Sequence, residues 1–575
     1  MDRKRNSKPS QERPWMKFYP PEVKNMVVPK CTLNEFIREK CPSEDTAAIH
    51  YYGNDITWKT VFDQVERTAR ALSAAGFGEN DQIPVFFRSV PEFIFLLLAA
   101  EKIGASLLCR DNTLEENVDA VKKSGAKTIF AHDFLSRREM EAYQSEAGVE
   151  KVILLSPYYG ADEKQMPEHV KKYISSLYTS DSASGKNTMS WDQFMALGEH
   201  YENEAEVPAD INRPLFRAYT SGSTAASKQV IHSAYTMLGI VYQMALYGEG
   251  FSVQPTWLLT NLPPCLVAVV VSMMLTPLTS NKLLILDPFC DVFDLDLEIM
   301  RYKPNFWPHI PLFMNVLVNS PRIPEDYDMS HLWAAGAGCE ATNNGQIKTI
   351  QMFLQKHNCK AVYSVAYGQS ESGSICTFPC PTGPMTNGNI GIPLPMCVLA
   401  VFKPGTQEEL SYNEIGEICK MGPGNMLGYD CEKTTSEALQ VHEDGNVWLH
   451  TGDIGYVTED GIFYMLTRGK TDRFDGGELI GLSMENKVVD AEIDGIIDEF
   501  FVIIPDRKHT GYFLPYMYVV LEEGYTVSDV ENQINEALRP YERPVEILQI
   551  PERPFFHYKT NRVGLTKELL GNGGI

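Results

Sequence analysis

The sequence predicts an α/β protein: a large amino-terminal domain with several subdomains, in which sheets are flanked by helices, followed by a small carboxyl-terminal α/β domain. Short apolar runs of strand composition alternate with amphipathic stretches along most of the chain. Polar loops follow three predicted strands, at Thr220, Gly336 and Tyr367, as ligand sites do at the carboxyl ends of sheet strands. The length of 575 residues exceeds one typical core, so we expect at least two domains.

The amino-terminal part contains the patterns of a sheet with helices on its faces. Amphipathic stretches predict helices at 58–76 and 92–104. Short apolar runs bounded by turn residues predict strands at 83–87, 128–131, 151–155, 257–260, 282–286, 332–335 and 360–366. Residues 156–212 are polar and irregular, and we expect a surface excursion there.

The carboxyl-terminal part of the chain has a different pattern of predicted elements. Residues 447–450 and 462–466 predict the two strands of a hairpin, with the turn at 459–461. After Arg468 the pattern restarts as a small α/β unit. Its predicted elements are a helix at 483–492, strands at 499–504 and 516–521, and a helix at 527–538.

Composition excludes several classes of function. A net charge of −24 argues against a nucleic-acid partner or an anionic membrane surface, because both need a basic face. The twelve cysteines are scattered without Cys-x-x-Cys pairs or a Cys/His cluster, so we expect reduced thiols and no zinc site. The apolar runs at 93–100 and 266–278 are too short to span a bilayer, and no export signal precedes them. These features predict a cytoplasmic protein without a transmembrane segment.

The segment 219–230, Tyr-Thr-Ser-Gly-Ser-Thr-Ala-Ala-Ser-Lys-Gln-Val, has the composition of a polyphosphate-binding loop. Hydroxyl groups donate hydrogen bonds, a glycine admits close approach of backbone N–H groups, and a lysine adds positive charge. The Walker spacing is absent, which argues against a P-loop NTPase. The residues predicted to hold phosphate are Thr220, Ser221, Gly222, Ser223, Thr224 and Lys228.

Three further motifs follow in order: Tyr-Gly-Gln-Ser-Glu at 367–371, Thr-Gly-Asp at 451–453 and Arg-Gly-Lys at 468–470. Together with the phosphate loop, they resemble the core motifs of the adenylate-forming superfamily, and most closely those of AMP-dependent acyl-CoA synthetases. The resemblance extends from about residue 33 to residue 570. It implies a lead-in at 1–30, an AMP-binding domain at 31–469 and a mobile cap domain at 470–575, with Lys470 at the hinge. The phosphate loop departs from the family pattern at Ala225, Ser227 and Gln229.

The resemblance also implies roles for individual residues. Glu371, together with Thr224, is expected to bind Mg²⁺ near the triphosphate of ATP, because Mg²⁺ prefers hard oxygen ligands. Tyr367 is expected to stack on adenine, Asp453 to bind the ribose hydroxyls and Arg468 to contact ribose or phosphate. The other predicted contacts with nucleotide or coenzyme A are Gly338, Gly368, Gln369, Ser370 and Gly477. Lys228 and Glu371 are the predicted catalytic residues of this part of the chain.

One departure from the family concerns the carboxyl-terminal lysine that stabilises the adenylation transition state. Family members end with a Pro-x-Thr-x-x-Gly-Lys-Ile motif, whereas this chain reads His-Tyr-Lys-Thr-Asn-Arg-Val-Gly-Leu at 557–565. A gapless match places Gly564 at the lysine position, and a shift of two places Arg562 there. We predict Arg562 as the replacement, with Lys559 and Lys567 as the other nearby cations.

The sequence says little about the acid. The segment 262–268 lacks the histidine that many acyl- and aryl-CoA ligases carry there, and residues 267–271, Met273 and Met274 are candidates for an apolar wall. We predict an AMP-forming ligase that joins an apolar aliphatic or aryl carboxylic acid to coenzyme A. Two alternatives stay open: an adenylation protein that loads a carrier-protein thiol, and a degenerate member that binds nucleotide but turns over poorly.

Overall fold

The computed structural model describes residues 8–182, 187–220, 227–245, 253–380, 386, 388–468, 472–474, 477–556 and 559–571. Of residues 468, 472–474, 477, 478 and 556, only the backbone is described. One large apolar core extends from Trp15 to Phe463, and separate cores lie within residues 479–570. The domain boundary at 469/470 stays a prediction, because residues 469–471 lie outside the described part of the chain.

One sheet of the large region is parallel except for an antiparallel hairpin at its edge. Its strands, in spatial order, are Tyr363–Val365, Ala334–Ala337, Phe306–His309, Thr256–Thr260, Leu283–Asp287, Ala47–Tyr51 and Asn54–Thr57. The parallel strands end at one edge, which carries Gly338. Positions 306, 308 and 336 lie on one face of the sheet, because alternate residues of a strand point to the same side and Pro308 is the cross-strand neighbour of Gly336.

A second sheet is parallel over most of its width and ends in antiparallel strands. Its strands, in order, are Gly428–Tyr429, Gln229–Ser233, Pro214–Tyr219, Ser106–Cys109, Gln82–Phe86, Thr128–His132, Lys151–Leu155 and Thr188–Ser190. The predicted phosphate loop connects Pro214–Tyr219 to Gln229–Ser233. Gly428–Tyr429 pairs with the second of these strands, so that Gly428 lies opposite Ile231 and Tyr429 opposite Val230.

A third, antiparallel sheet contains the Thr-Gly-Asp motif. Its strands are Thr377–Phe378, Asn389–Pro393, Phe463–Arg468, Val447–Val457, Gly416–Met421 and Val398–Phe402, with Leu439–Val441 paired to Val447–Val457. The predicted hairpin is present, and its first strand continues through Asp453.

The carboxyl-terminal region is a small sheet covered by helices. Ile496–Pro505 and Phe513–Leu521 are antiparallel, and Glu546–Gln549 lies parallel to the latter. Short strand pairs join Asp472–Phe474 to Gly477–Leu479 and Phe555–Phe556 to Lys559–Thr560. Another short pair, Gly368–Gln369 with Ser374–Ile375, belongs to the large region.

Helices cover the sheets. The α-helices of the described residues are Pro9–Glu12, Leu33–Lys40, Trp58–Ala74, Pro91–Ile103, Leu114–Ser124, Arg137–Ala147, Glu168–Leu177, Trp191–Glu199, Ala234–Ala245, Thr276–Thr279, Leu295–Tyr302, Pro311–Val318, Asn344–Lys356, Glu432–Ala438, Gly481–Asp490, Val527–Ala537 and Arg562–Gly571. Shorter 3₁₀ turns lie at Pro14–Phe18, Pro21–Asn25, Val292–Asp294 and Ser370–Ser372, and Val269–Leu275 is π-helical. No helix in the described ranges is both long and apolar enough to cross a membrane.

Most predicted elements are present, but several of their ends differ from the prediction. The strand expected at 360–366 is limited to Tyr363–Val365, and the strands expected from 499 and 516 begin at Ile496 and Phe513. The strand expected at 332–335 begins at Ala334, because apolar Leu332 packs into the core from the preceding turn. The prediction of an irregular surface excursion at 156–212 is wrong. This stretch contains the helices Glu168–Leu177 and Trp191–Glu199, and the latter buries Trp191 and Phe194 against the core.

Candidate active site

A cavity of about 480 Å³ lies where the first sheet meets the phosphate loop. Six of the predicted site residues line it: Thr220, Gly338, Gly368, Gln369, Ser370 and Glu371. The cavity continues along the sheet face that carries Phe306, Pro308 and Gly336. One continuous space therefore joins the predicted nucleotide edge to the apolar interior.

The neck of the phosphate loop is closed by hydrogen bonds between its two ends. The Thr220 N–H donates to the Lys228 carbonyl (2.9 Å), and the Lys228 N–H donates to Thr220 Oγ1 (3.1 Å). The Ser227 hydroxyl also donates to the Thr220 carbonyl (2.5 Å). Ser221, Gly222, Ser223 and Thr224 lie outside the described residues, so their roles stay predictions.

Tyr429 connects the two predicted catalytic residues, Lys228 and Glu371. Its hydroxyl donates to Glu371 Oε1 (2.7 Å), and Lys228 Nζ lies 4.7 Å from the centroid of its ring. An ammonium over an aromatic face is attracted by the ring quadrupole. Sequence reasoning missed Tyr429, although the Gly-Tyr pair at 428–429 after a glycine-rich segment was a local signal.

Tyr367 and Asp453 form a buried pair behind the cavity wall. The Tyr367 hydroxyl donates to Asp453 Oδ2 (2.7 Å), and burial together with the Asp453 charge raises the pKa of Tyr367 well above its usual value. The Asp453 N–H donates to Thr451 Oγ1 (3.1 Å). Arg468 is the cross-strand partner of Asp453 along the backbone. The structure thus brings the predicted adenine and ribose residues together.

The motif around Glu371 is shaped by close backbone packing. A Cβ atom on Gly368 would lie 1.9 Å from the Ser374 carbonyl oxygen, so no larger residue fits between these short strands. The Ser370 carbonyl accepts a bond from His232 Nε2 (2.8 Å), and burial lowers the pKa of His232 to about 4. His232 is therefore a neutral donor that fixes the loop.

The carboxyl-terminal segment places Lys559, not Arg562, at the cavity. Lys559 is half-buried and lines the cavity wall. The Arg562 guanidinium instead contacts Glu340 Oε1 (3.3 Å) and Glu485 Oε1 (3.1 Å) and donates to the Phe501 carbonyl (3.2 Å). The catalytic role predicted for Arg562 remains untested, but its charge is already shared between two carboxylates.

Gly564 and Gly477 lie away from the described cavity wall. The Gly564 N–H donates to Asn561 Oδ1 (2.9 Å) in the first turn of the helix Arg562–Gly571. Gly477 opposes Phe474 in a short strand pair. Its predicted place in a coenzyme A tunnel stays a prediction.

Comparison with known proteins decides the family. Residues 38–430 match the model of the AMP-binding enzyme family, which is more than half of the chain. The chain belongs to the AMP-binding enzyme family. The predicted family, fold class and enzyme class are thereby confirmed.

Individual relatives are distant but extend over most of the chain. A probable 4-coumarate–CoA ligase 1 of Dictyostelium discoideum is 25% identical over 467 residues, which are 79% of this chain and 80% of that protein. A long-chain-fatty-acid–CoA ligase of Bacillus subtilis (strain 168) is 23% identical over 550 residues, 93% of this chain and 94% of the other. The crystal structure of ATP-bound MatB from Rhodopseudomonas palustris covers 94% of this chain and 99% of its own, with a TM-score of 0.76 and 20% identity, and shows a shared fold.

Proposed function

We propose that this AMP-binding enzyme is an AMP-forming acid:CoA ligase that activates an apolar aliphatic or aryl carboxylic acid. The observation that carries the proposal is the continuous cavity, because it joins a polar edge with Thr220 and Glu371 to an apolar wall. Relatives named as CoA ligases for aryl and fatty acids support the same reaction.

The chemistry proceeds in two steps. A carboxylate oxygen attacks the α-phosphorus of ATP and expels pyrophosphate, which gives an acyl-adenylate. The thiol of coenzyme A then attacks the acyl carbon, loses its proton to solvent, and expels AMP. Because the first step joins two anions in a chain of net charge −24, local cations and fixed donors must supply most of its catalysis.

Glu371 fits the requirement for a magnesium ligand. Its carboxylate is largely buried, lines the cavity and is oriented by the Tyr429 hydroxyl at 2.7 Å. Magnesium prefers carboxylate and phosphate oxygens, and when bound it neutralises charge on the triphosphate. Lys228 lies over the ring of Tyr429, where its ammonium would hold a phosphate group in the loop.

We assign the transition-state cation of the first step to Lys559. The Thr560 N–H donates to Glu340 Oε1 (3.1 Å), which ties the short strand Lys559–Thr560 to the loop after Ala334–Ala337. Lys559 therefore reaches the cavity from a fixed strand, five residues before Gly564. An ammonium is a compact charge that suits a developing phosphate anion.

The acid is proposed from the walls of the cavity. Trp257 and Phe306 stack with ring centroids 5.4 Å apart, and Met273 and Val267 also line the cavity. The floor is made of small residues, Ala334, Gly336 and Ser364 among them, which leaves room for a ring or a chain. Val267 and Met273 line the cavity, which supports this proposal, whereas Met274 is buried outside the lining.

The test is a panel of aliphatic and aryl carboxylic acids, scored for coenzyme A-dependent release of AMP. We expect stoichiometric AMP and thioester with an apolar acid, and no AMP without acid. Thioester formed only with a phosphopantetheinyl carrier protein would replace coenzyme A as the acceptor. Binding of ATP without AMP release from any acid would indicate the degenerate alternative. A cytoplasmic location is part of the proposal, supported by twelve cysteines that are all free thiols.

A further inference from the structure

A cluster of metal-ligating side chains lies on the third sheet, outside the nucleotide cavity. Cys419 and His450 are directly opposite each other on the antiparallel strands Gly416–Met421 and Val447–Val457. Glu417 precedes Cys419 by two residues on the same strand. A carboxylate oxygen of Glu417, Cys419 Sγ and a ring nitrogen of His450 all lie within 4.8 Å of one another. Three different metal-binding groups therefore converge on one point of a rigid sheet.

Two of the three distances between the ligand atoms are close to those of a tetrahedral metal site. Cys419 Sγ lies 3.5 Å from His450 Nδ1, and Glu417 Oε2 lies 2.9 Å from the same nitrogen. With zinc bonds of about 2.0 Å to nitrogen or oxygen and about 2.3 Å to sulfur, tetrahedral ligands are separated by roughly 3.5 Å (S to N) and 3.3 Å (N to O). The Glu417–His450 pair has to widen by only a few tenths of an ångström.

His442 provides the outer partner that a metal-binding histidine needs. Its Nε2 lies 2.9 Å from His450 Nε2, on the side of the ring that faces away from Cys419 and Glu417. The His442 ring is held edge-on against Phe402, with centroids 4.8 Å apart, and lies beside Trp448. When Nδ1 of a histidine binds a metal, Nε2 carries the proton and donates a hydrogen bond to such a partner, which fixes the orientation of the ring.

Burial also favours an ion of charge +2. Cys419 is fully buried, and the side chains of His450 and Glu417 are 8% and 14% exposed. Metal binding converts the Cys419 thiol to a thiolate and releases its proton to solvent. One carboxylate, one thiolate and a divalent ion then sum to zero charge in a partly dry site.

We propose that Glu417, Cys419 and His450 bind one zinc ion, with the fourth position open to water. The mixed sulfur, nitrogen and oxygen ligands suit zinc better than magnesium or calcium, which take oxygen ligands. The ion lies beside the nucleotide motif: Glu417 Oε1 accepts a bond from the Gly452 N–H (3.0 Å), one residue before Asp453. Because zinc uses Oε2, this bond to Gly452 is kept.

The experiment is a titration of the full-length, chelator-treated protein with cobalt(II), a spectroscopic substitute for zinc. We expect one equivalent to bind, with a thiolate-to-cobalt charge-transfer absorption in the near ultraviolet and ligand-field bands of a four-coordinate site. Zinc should remove both signals. His450→Gln and Glu417→Gln should each weaken binding at least tenfold, and His442→Gln should weaken it by about 10- to 100-fold as an outer partner.

The matched pair of variants is Cys419→Ser and Cys431→Ser, because Cys431 is an exposed thiol on the same region of chain. The charge-transfer band should vanish in Cys419→Ser and persist in Cys431→Ser. If Cys419→Ser fails to fold, the thermal midpoint provides the test. Zinc must then raise the thermal midpoint of the wild type, and it must raise that of His442→Gln by less. No charge-transfer band in the wild type, or a band that persists in folded Cys419→Ser, overturns the proposal.

Discussion

At the scale of single residues, Lys228 and Glu371 both contact Tyr429 and are expected to act on the phosphate groups of ATP. Lys228→Ala and Glu371→Ala should each raise the activation free energy of adenylation, calculated from kcat/KM, by about 2–4 kcal/mol. Each substitution removes charge complementarity in the transition state. Pyrophosphate release from ATP and acid measures the effect. Lys433→Ala, which changes an exposed lysine, is the control and should have the wild-type rate. Wild-type rates in a folded Lys228 or Glu371 variant would remove that residue from the ATP site.

Tyr429→Phe separates the hydroxyl of this residue from its ring. The variant keeps the aromatic face under Lys228 but loses the 2.7 Å bond to Glu371. We expect the free-energy barrier for adenylation to rise by about 1.5–3 kcal/mol, the value of one hydrogen bond to a charged group. Tyr429→Ala should cost clearly more, since the ring is lost as well. Equal rates for the two variants would mean that the ring contact with Lys228 contributes nothing.

Lys559→Ala tests the assignment of the missing cation. We expect adenylation from ATP and acid to fall roughly 30- to 1,000-fold, the usual effect of removing one charge that acts in the transition state. A supplied acyl-adenylate should still be converted to thioester, because the cation acts in the first step only. Lys559→Arg should retain part of the rate. Lys567→Ala is the matched control on the following helix, and unchanged adenylation in Lys559→Ala would return the role to Arg562.

Buried Glu92 predicts a pH dependence of stability. Burial raises the pKa of Glu92 to about 8, above the ordinary value near 4.5. The folded state then binds a proton that the unfolded state has released, so stability falls as the pH rises from about 4.5 to 8. Glu92→Gln should remove this part of the slope and stabilise the protein above pH 7. Urea unfolding of both proteins at pH 5 and pH 8 measures it, and a constant difference in stability between them would contradict the prediction.

At the scale of elements, Arg562 joins the carboxyl-terminal helix to the loop after Ala334–Ala337. Its planar guanidinium contacts Glu340 and Glu485 at once, which an ammonium group does not reproduce. Arg562→Lys should therefore rescue little of what Arg562→Ala loses in adenylation. If Arg562 instead acts as the transition-state cation, Arg562→Lys retains much of the rate. Comparing both variants in the adenylation assay decides between the two roles.

The structure of the first turn of the same helix argues against restoring the family lysine at position 564. A Cβ atom there would lie 2.5 Å from Nδ2 of Asn561, whose side chain accepts the Gly564 N–H. Gly564→Lys must displace this capping side chain, at a cost of about 1 kcal/mol in stability. We expect a lower thermal midpoint and no gain in adenylation. Faster adenylation by Gly564→Lys would show that position 564, which aligns with the family lysine, still faces the phosphates of ATP.

At the scale of the whole molecule, the separate apolar cores on either side of residues 469–471 suit two bodies that change their arrangement between the half-reactions. Lys470, the predicted hinge, lies outside the described residues, and its role stays a prediction. Lys470→Pro fixes φ near −65° and should spare adenylate formation while lowering thioester formation. Single-turnover assays of each half-reaction measure this, and equal loss of both would contradict a hinge.

The sequence by itself determined the family, the α/β class and most elements, because apolar periodicity and ordered motifs are local properties of the chain. It also identified the residues that the fold gathers at one cavity, such as Thr220, Gly338 and Glu371. The hairpin at 447–466 was predictable for the same reason, since its turn residues lie between its strands.

Only the tertiary structure decided which distant side chains meet. Strand register brings Cys419 and His450 together although they are 31 positions apart in the chain. No Cys/His spacing in the sequence therefore predicted their contact. Tyr429 reaches Glu371 because a two-residue strand adds to the edge of the second sheet. Lys559 and Arg562 look equivalent as cations in sequence. Their difference comes from the carboxylates of Glu340 and Glu485, which hold Arg562 away from the cavity that Lys559 enters.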